Sequence, residues 1–501
     1  MKVYSFCSVL FFAAVISNAS LADGQAYDVD SEVEKAADLC DKGDYSSGSK
    51  IYIKLLYEGL ASLLPMERFN LIKVLAECDR PLLAIDELKR LLKSEPQVVE
   101  AELLLAKLLS WNGYLLEAEA VAKNILSSSP KHYEARLVWA NAANWRGDYA
   151  SALPLYRGVL SEKENFDARL NYTYALLATA DYHEAKISHW WLYAGSKSNK
   201  HTVFDVNQAL IDQSKESISW KTEYLAEQGD SRRLNQRLSF NVPFNFSNLS
   251  VTIRHQQTSA PWVVDVQALD EMKVAGNWRL NSGWKVSGEL GRVVATTQNE
   301  SHLNAEIGSL LQMNRWLWNV TLRSELFDSS AAILAKNIQR QYVYSDVQYT
   351  FNDWFRMNGD LQATTYSDVN RSYEGSIHFR YALRLLKPRI EIGYKYFEQG
   401  FQYQKSDYYS PDKSSLGQLT LGFNGSSEQV YMSGEFFYGR QKTSMQNFKQ
   451  LDNVAGLTLN LNYSVSQMLS INGSLEGGDY ALGVPNGYYY YMATVGVSLF
   501  F

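Results

Sequence analysis

The chain carries two hydrophobic periodicities that meet near residue 218. From there to the end, apolar and polar residues alternate in segments of about ten. In LTLNLNYSV, Leu457, Leu459, Leu461, Tyr463 and Val465 share one face, and Thr458, Asn460, Asn462 and Ser464 share the other. The last segment, YYYYMATVGVSLFF, puts Tyr489, Tyr491, Ala493, Val495, Val497, Leu499 and Phe501 on one side. Period two specifies a β-strand with one apolar face. Sixteen such segments are predicted, the first at 218–227, the fourth at 263–279, the fourteenth at 454–465 and the last at 488–501.

Before them, residues 30–195 are rich in Ala, Leu, Glu and Lys at helical spacing, with self-similarity at about 34 residues. Trp111 recurs at Trp145 and Gly113 at Gly147, and small residues open the second helix of each pair at Ala84, Ala118, Ala152 and Ala185. This period and pattern resemble the tetratricopeptide repeat over four to five copies, with a degenerate early copy around Gly43 and Gly48. Each helix pair has two apolar faces that only stacking on neighbours can cover. Trp111, Tyr149 and Tyr182 are expected to fill gaps between helices. The function such repeats imply is a concave protein-binding surface.

The connections between the sixteen strands provide a second signal. Every other connection is tight (NFS, NSG, MNR, ND, LKP, SSE, SVSQ). The alternate set is generally longer and includes DSSAAILAKNIQRQ, FEQGFQYQKSDYYSPDKSS, RQKTSMQNFKQLD and GDYALGVPNG. Alternating short and long connections mark an outer-membrane barrel, and an even strand count puts both barrel ends at the short-turn rim. The last strand then closes on the first, leaving no unpaired edge in hydrocarbon. The expected fold is α plus membrane β: a tetratricopeptide α-solenoid followed by a 16-stranded antiparallel transmembrane β-barrel. A soluble sandwich would carry polar outward faces and would not need the alternation of loops. Trp220, Trp278, Trp284, Trp316, Trp318 and Tyr489 fit interfacial girdles.

The N-terminus adds a compartment. MKVYSFCSVLFFAAVISNASLADGQ has one lysine, an apolar run and a small-residue exit at Ala22, the form of a secretory signal peptide. The expected domains are a signal peptide at 1–22, a periplasmic repeat domain at 23–200, a linker at 201–217 and the barrel at 218–501. Of the three cysteines, Cys40 and Cys78 remain after cleavage. In an oxidising compartment they either form a disulfide or stay as two buried thiols.

Composition excludes some classes. A net charge of −6 gives no bulk basic character, so nucleic acid is not an expected partner. The 33 tyrosines and 12 tryptophans instead suit half-wet aromatic positions at membrane interfaces or sugar-binding surfaces. No HExxH, GxSxG, phosphate-cradling loop or CxxC pair is present, and Ser376 with His378 share a face by spacing alone. No catalytic residue, metal site or cofactor is expected.

The polar strand face predicts a wet, mixed-charge lumen. Its candidate lining residues include Arg323, Glu325, Arg356, Asp360, Glu374, Arg380, Arg384, Arg389, Glu391, Lys395, Glu435 and Glu476, with Tyr366 and Tyr431. Lys221, Arg237, Arg254 and Glu271 fall on the same face. The densest basic cluster is Arg380, Arg384, Arg389 and Lys395, partly neutralised by Glu374 and Glu391. Such a lining suits a neutral polyhydroxylated or zwitterionic chain, while interior ion pairs also hold barrels rigid. The loop holding Tyr408, Tyr409, Ser410 and Pro411 is expected to fold over or into the pore.

The layout of signal peptide, repeats and sixteen-stranded barrel, with the YYSP element at Tyr408 to Pro411, resembles the outer-membrane exopolysaccharide secretins of the poly-N-acetylglucosamine and cellulose exporters. That resemblance implies passive conduction of a growing polymer, with the repeats docking a periplasmic partner protein or polymer-modifying enzyme. The terminal aromatic Phe501 resembles the signal read by the barrel-assembly machinery. Two other families share the layout. Surface lipoprotein assembly modulators deliver protein cargo through fourteen strands, and YaiO-type barrels have no defined role. Sixteen strands favour a polymer pore.

Overall fold

The computed structural model describes residues 29–58, 64–78, 80–96, 98–192, 197–227, 231–260, 263, 266–295, 300–313, 315–383, 388–405, 408–426, 429–445, 448–466, 468–479 and 489–501. The expected signal peptide lies outside them. The chain falls into two compact units, Met1–Ala142 and Ala143–Phe501.

The first unit holds α1 (Val29–Asp41), α2 (Tyr45–Glu58), α3 (Pro65–Glu77), α4 (Pro81–Ser94), α5 (Val99–Trp111), α6 (Leu115–Ser128) and the start of α7 (Tyr133–Trp145). Within it α1 packs on α2, α3 on α4 and α5 on α6. Pro65 and Pro81 open their helices at the position where a missing N–H costs nothing. Ala84 and Ala118 are fully buried at the predicted close approaches, among Leu88, Leu91, Leu105 and Leu109. Glu87 is buried too, and Arg68 at 3.2 Å and Arg90 at 2.7 Å compensate it. Of the two options for the cysteines, the structure shows the disulfide: Cys40 at the end of α1 bonds Cys78 just past α3. Gly48 passes so close to this bridge that a Cβ there would clash with Cys40 Sγ and lie 2.8 Å from the Ala36 carbonyl oxygen. Trp111 departs from expectation. It is 61% exposed rather than packed between helices, because it ends α5 and points off the stack.

The second unit continues the repeats and adds the barrel. Its helices are α8 (Tyr149–Glu162), α9 (Phe166–Ala178), α10 (Tyr182–Trp190) and α11 (Lys197–Ser214). Asp148, Asn165 and Asp181 cap α8, α9 and α10 through bonds to the third backbone N–H of each helix. The stretch 201–217, expected as a linker, is mostly α11: KSNKHTVFDVNQALIDQS has no breaker, and strand one begins three residues after it.

The barrel strands are β1 (Ser217–Glu227), β2 (Ser231–Phe244), β3 (Ser247–Ser259), β4 (Gln267–Asn281), β5 (Trp284–Ala295) and β6 (Glu300–Met313). They continue as β7 (Trp316–Leu326), β8 (Gln339–Thr350), β9 (Phe355–Tyr366), β10 (Arg371–Ala382) and β11 (Arg389–Phe401). The set ends with β12 (Lys413–Ser426), β13 (Val430–Met445), β14 (Phe448–Ser466), β15 (Leu469–Asp479) and β16 (Tyr489–Phe500). Each strand pairs antiparallel with its sequence neighbours, and β16 pairs with β1, so the sheet closes. The expectation of a long loop RQKTSMQNFKQLD fails. β13 and β14 pair out to Met445 and Phe448, because Gln441 and Thr443 keep the inward alternation well past the predicted strand end.

The outward face is apolar. Leu238, Ile253, Met272, Leu290, Ile307 and Leu322 face out on six successive strands, each exposed. In water such a continuous band would be a large exposed patch; in a bilayer it is the lipid-facing surface. Trp278, Trp284, Trp316 and Trp318 sit outward near the short-turn rim, and the last strand presents Tyr489 at its opposite end. The Trp284 indole donates to Ser309 and that of Trp318 to Ser345, so both rings have a wet and a greasy side. The architecture is that of an outer-membrane β-barrel.

Candidate functional site: the barrel lumen

Sixteen strands enclose a bore wide enough for an aqueous channel. The side chains opposite the lipid band line it, and most of the charged ones are paired across strands. Arg323 on β7 meets Glu306 at 2.9 Å, Glu325 at 2.6 Å and Glu289 at 3.8 Å. Glu325 in turn accepts from Arg340 Nε at 2.7 Å. Lys273 pairs with Glu289 at 2.9 Å. Farther round, Glu391 holds Arg356 at 2.6 Å and Arg389 at 2.9 Å, and Arg380 reaches Glu435 at 3.7 Å. The predicted partner Glu374 does not take part; it faces a cavity nearer the long-loop rim.

Other candidates are placed singly. Asp360 lies directly opposite Asp346 and accepts from Ser376. Tyr490 donates to Glu476 at 2.6 Å. Tyr431 shares the lumen face with Glu435 and is exposed near the short-turn end of β13. Lys395 shares the face of Glu391 and has no ion-pair partner among the described residues. Arg384 lies outside the described residues. Ser376 and His378 do share a face, but His378 bonds Thr420 at 3.0 Å while Ser376 bonds Asp360. Among the described residues no group of three metal-ligating side chains comes together.

Two long loops turn inward. In the β11–β12 connection, Tyr408 packs on Tyr366 at 5.6 Å and on Phe401 at 6.0 Å, and meets Phe327 edge-on at 5.8 Å. Its hydroxyl donates to Asp368 at 3.0 Å and accepts from Asn370 at 2.9 Å. Ser410 is fully buried and accepts from the Lys405 N–H at 2.7 Å, and the Pro411 carbonyl accepts from Phe401 at 3.0 Å. YYSP is therefore a latch that fastens its own loop to the lumen wall. Phe327, Tyr366, Phe401, Tyr408 and Tyr409, with Arg340 and Gln362, line a cavity of about 240 Å³. The Arg340 guanidinium lies 4.6 Å over the Phe327 ring.

The β7–β8 connection was expected only to be long. It forms a short helix, α12 (Ala331–Ala335), capped by Ser330, with Ile333 and Leu334 buried. Leu334 packs on Leu269, Val293 and Leu326. Leu269 and Val293 are apolar residues on lumen-facing positions, which is intelligible once a helix covers them. Asp328, at the start of the loop, ion-pairs with Arg254, and its carbonyl accepts from Gln256 at 3.0 Å. The signal in sequence was AAIL inside an otherwise polar connection.

Phe501 closes the ring. Its N–H donates to the Glu216 carbonyl at 3.1 Å and its ring stacks against Phe240 at 6.5 Å, across β1.

No family model and no curated sequence matches the chain. Some solved structures are similar to parts of the chain at low identity. A bacterial polysaccharide outer membrane secretin is 12% identical with a TM-score of 0.49, covering 57% of this chain and 99% of its own. Pseudomonas aeruginosa OccK11 is 9% identical with a TM-score of 0.33, covering 58% and 97%. A tetratricopeptide repeat protein from Parabacteroides merdae is 18% identical with a TM-score of 0.31, covering 37% and 73%.

Proposed function

We propose that the chain is an outer-membrane translocation pore for an exopolysaccharide, with its repeats on the periplasmic side docking a partner protein or polymer-modifying enzyme. The observation that carries this reading is the lining. Cross-strand ion pairs give a wet wall without one dominant sign, and the long-loop end adds the aromatic group Tyr366, Phe401 and Tyr408 beside Gln362 and Arg340. Sugar rings bind such places through an apolar face stacked on an aromatic and hydroxyls bonded to planar polar groups. A lipid or apolar cargo would meet a row of charges. The strand number of sixteen also favours a polymer over lipoprotein delivery, which the resemblance assigns to fourteen-stranded barrels. Purified protein in planar bilayers tests the proposal: soluble oligosaccharides should reduce the current in a concentration-dependent way. Replacing Tyr366 and Tyr408 with Ala should weaken that block. Current that is indifferent to every oligosaccharide would refute it.

A further inference from the structure

Most charges of the wall are matched, but on β1–β3 the strand register sets three cations in a row. Lys221 lies directly opposite Arg237, and Arg237 lies directly opposite Arg254. Like charges directly opposite on paired strands repel. Only Arg254 is neutralised, by Glu271 at 3.3 Å and by Asp328 of the inward loop. Lys221 and Arg237 have neither an ion pair nor a side-chain hydrogen bond among the described residues. The adjacent carboxylate, Glu223, is 3.5 Å from Arg233.

Arg237 faces a lumen cavity of about 250 Å³ whose wall also carries Arg233, Arg254, Arg323 and Arg340. Each of those four is ion-paired to a carboxylate, which leaves Arg237 as the lining cation outside an ion pair among the described residues. Asn235 and Tyr342 add neutral polar groups to the same wall. Arginine forks match the two oxygens of a carboxylate or of a phosphate or sulfate ester, and repulsion among unpaired cations is relieved when such a group enters.

We propose that the Arg237 cavity is a binding site for an anionic substituent on the saccharide chain, a carboxylate or an ester-linked phosphate or sulfate. This inference rests on the polysaccharide reading and narrows it from a neutral or zwitterionic polymer to an acid-bearing one. Arg237 takes the anion, and Lys221, directly opposite it on β1 and outside the cavity wall, adds to the positive potential beside it.

The test is titration calorimetry on the full chain in detergent micelles at low salt, with hexagalacturonate, maltohexaose and inorganic phosphate as separate probes. Hexagalacturonate should bind more tightly than maltohexaose, and added salt should weaken it. Arg237→Gln should weaken hexagalacturonate by about tenfold, the loss expected for one charge-assisted contact. Lys221→Gln should add to that loss, Arg237→Lys should restore much of it, and maltohexaose should not respond. Heat-modifiable migration in gels confirms that each variant remains a folded barrel. If both hexasaccharides bind alike and neither substitution matters, the anion site is refuted while saccharide passage stands. If phosphate binds and is lost in Arg237→Gln but neither hexasaccharide binds, the saccharide assignment falls. Absence of binding by all three probes overturns both.

Discussion

The backbone N–H of Phe246 donates to the carbonyl of Ala180 at 2.8 Å, and both residues hold a left-handed backbone although neither is glycine. Phe246 sits in the β2–β3 turn and Ala180 in the turn between α9 and α10. The Phe246 carbonyl accepts from the Arg279 N–H at 2.7 Å, and the Arg279 guanidinium reaches the Ala178 carbonyl at 3.2 Å. A second tie lies nearby: Gln312 at the end of β6 donates to the Gly147 carbonyl at 2.5 Å. The turns of the last repeats are thus hydrogen-bonded to the short turns of the barrel.

Ala180 occupies the turn position that Gly113 and Gly147 fill in earlier repeats, and all three have positive φ. Ala180→Gly should relieve the left-handed strain and raise the stability of the helical segment by up to about 1 kcal/mol. Urea unfolding followed by far-UV circular dichroism measures it. A decrease in stability would mean that the alanine methyl packs in a way that outweighs the strain.

The inward helix α12 narrows the bore because Leu334 is buried on Leu269 and Val293 and Asp328 is bound to Arg254. Leu334→Asp places a charge in that apolar contact and should expel the loop, raising single-channel conductance severalfold. Asp328→Asn should act in the same direction more weakly. Unchanged conductance in Leu334→Asp would show that the loop does not limit flow.

Reducing the Cys40–Cys78 bond, which spans 38 residues, should destabilise the first helices by about 4 kcal/mol on the loop-closure argument. Thermal melts of the Cys40→Ser, Cys78→Ser double variant check this. Its barrel should keep heat-modifiable migration. Equal melting of the two proteins would rule the bridge out as a structural contributor.

Tyr172 gives an alkaline signature. Burial, and then the hydrogen bond it donates to Glu184, push its phenol up to about 12. A raised folded-state value favours the folded form while the phenol is protonated. Its contribution is complete below the ordinary tyrosine value of about 10 and is lost as pH rises from there toward about 12. Arg157, which bonds both Tyr172 and Glu184, remains charged across this window. Helical ellipticity should fall over that range, and Tyr172→Phe should fall less steeply there. Identical profiles would exclude Tyr172 as the source.

Strand number, the inside and outside of each strand, the closing terminal strand and the repeat period were all present in the sequence. They follow from backbone geometry, which repeats every two or every 3.6 residues whatever the distant chain does. Leu457 to Val465 declared a lipid face without reference to any partner, and Ala84 and Ala118 declared close helix contacts.

Which charges neutralise one another was decided only by tertiary structure. Arg380 is nearest in sequence to Glu374 and Glu391, yet it meets Glu435 three strands away. Lys221 and Arg237 emerge as an unmatched pair only once register sets them opposite each other. The burial of Leu269 and Val293 in a polar bore, and the latching of Tyr408, likewise depend on loops that fold back across many strands. Such contacts join positions with no fixed spacing, so no periodicity along the chain encodes them.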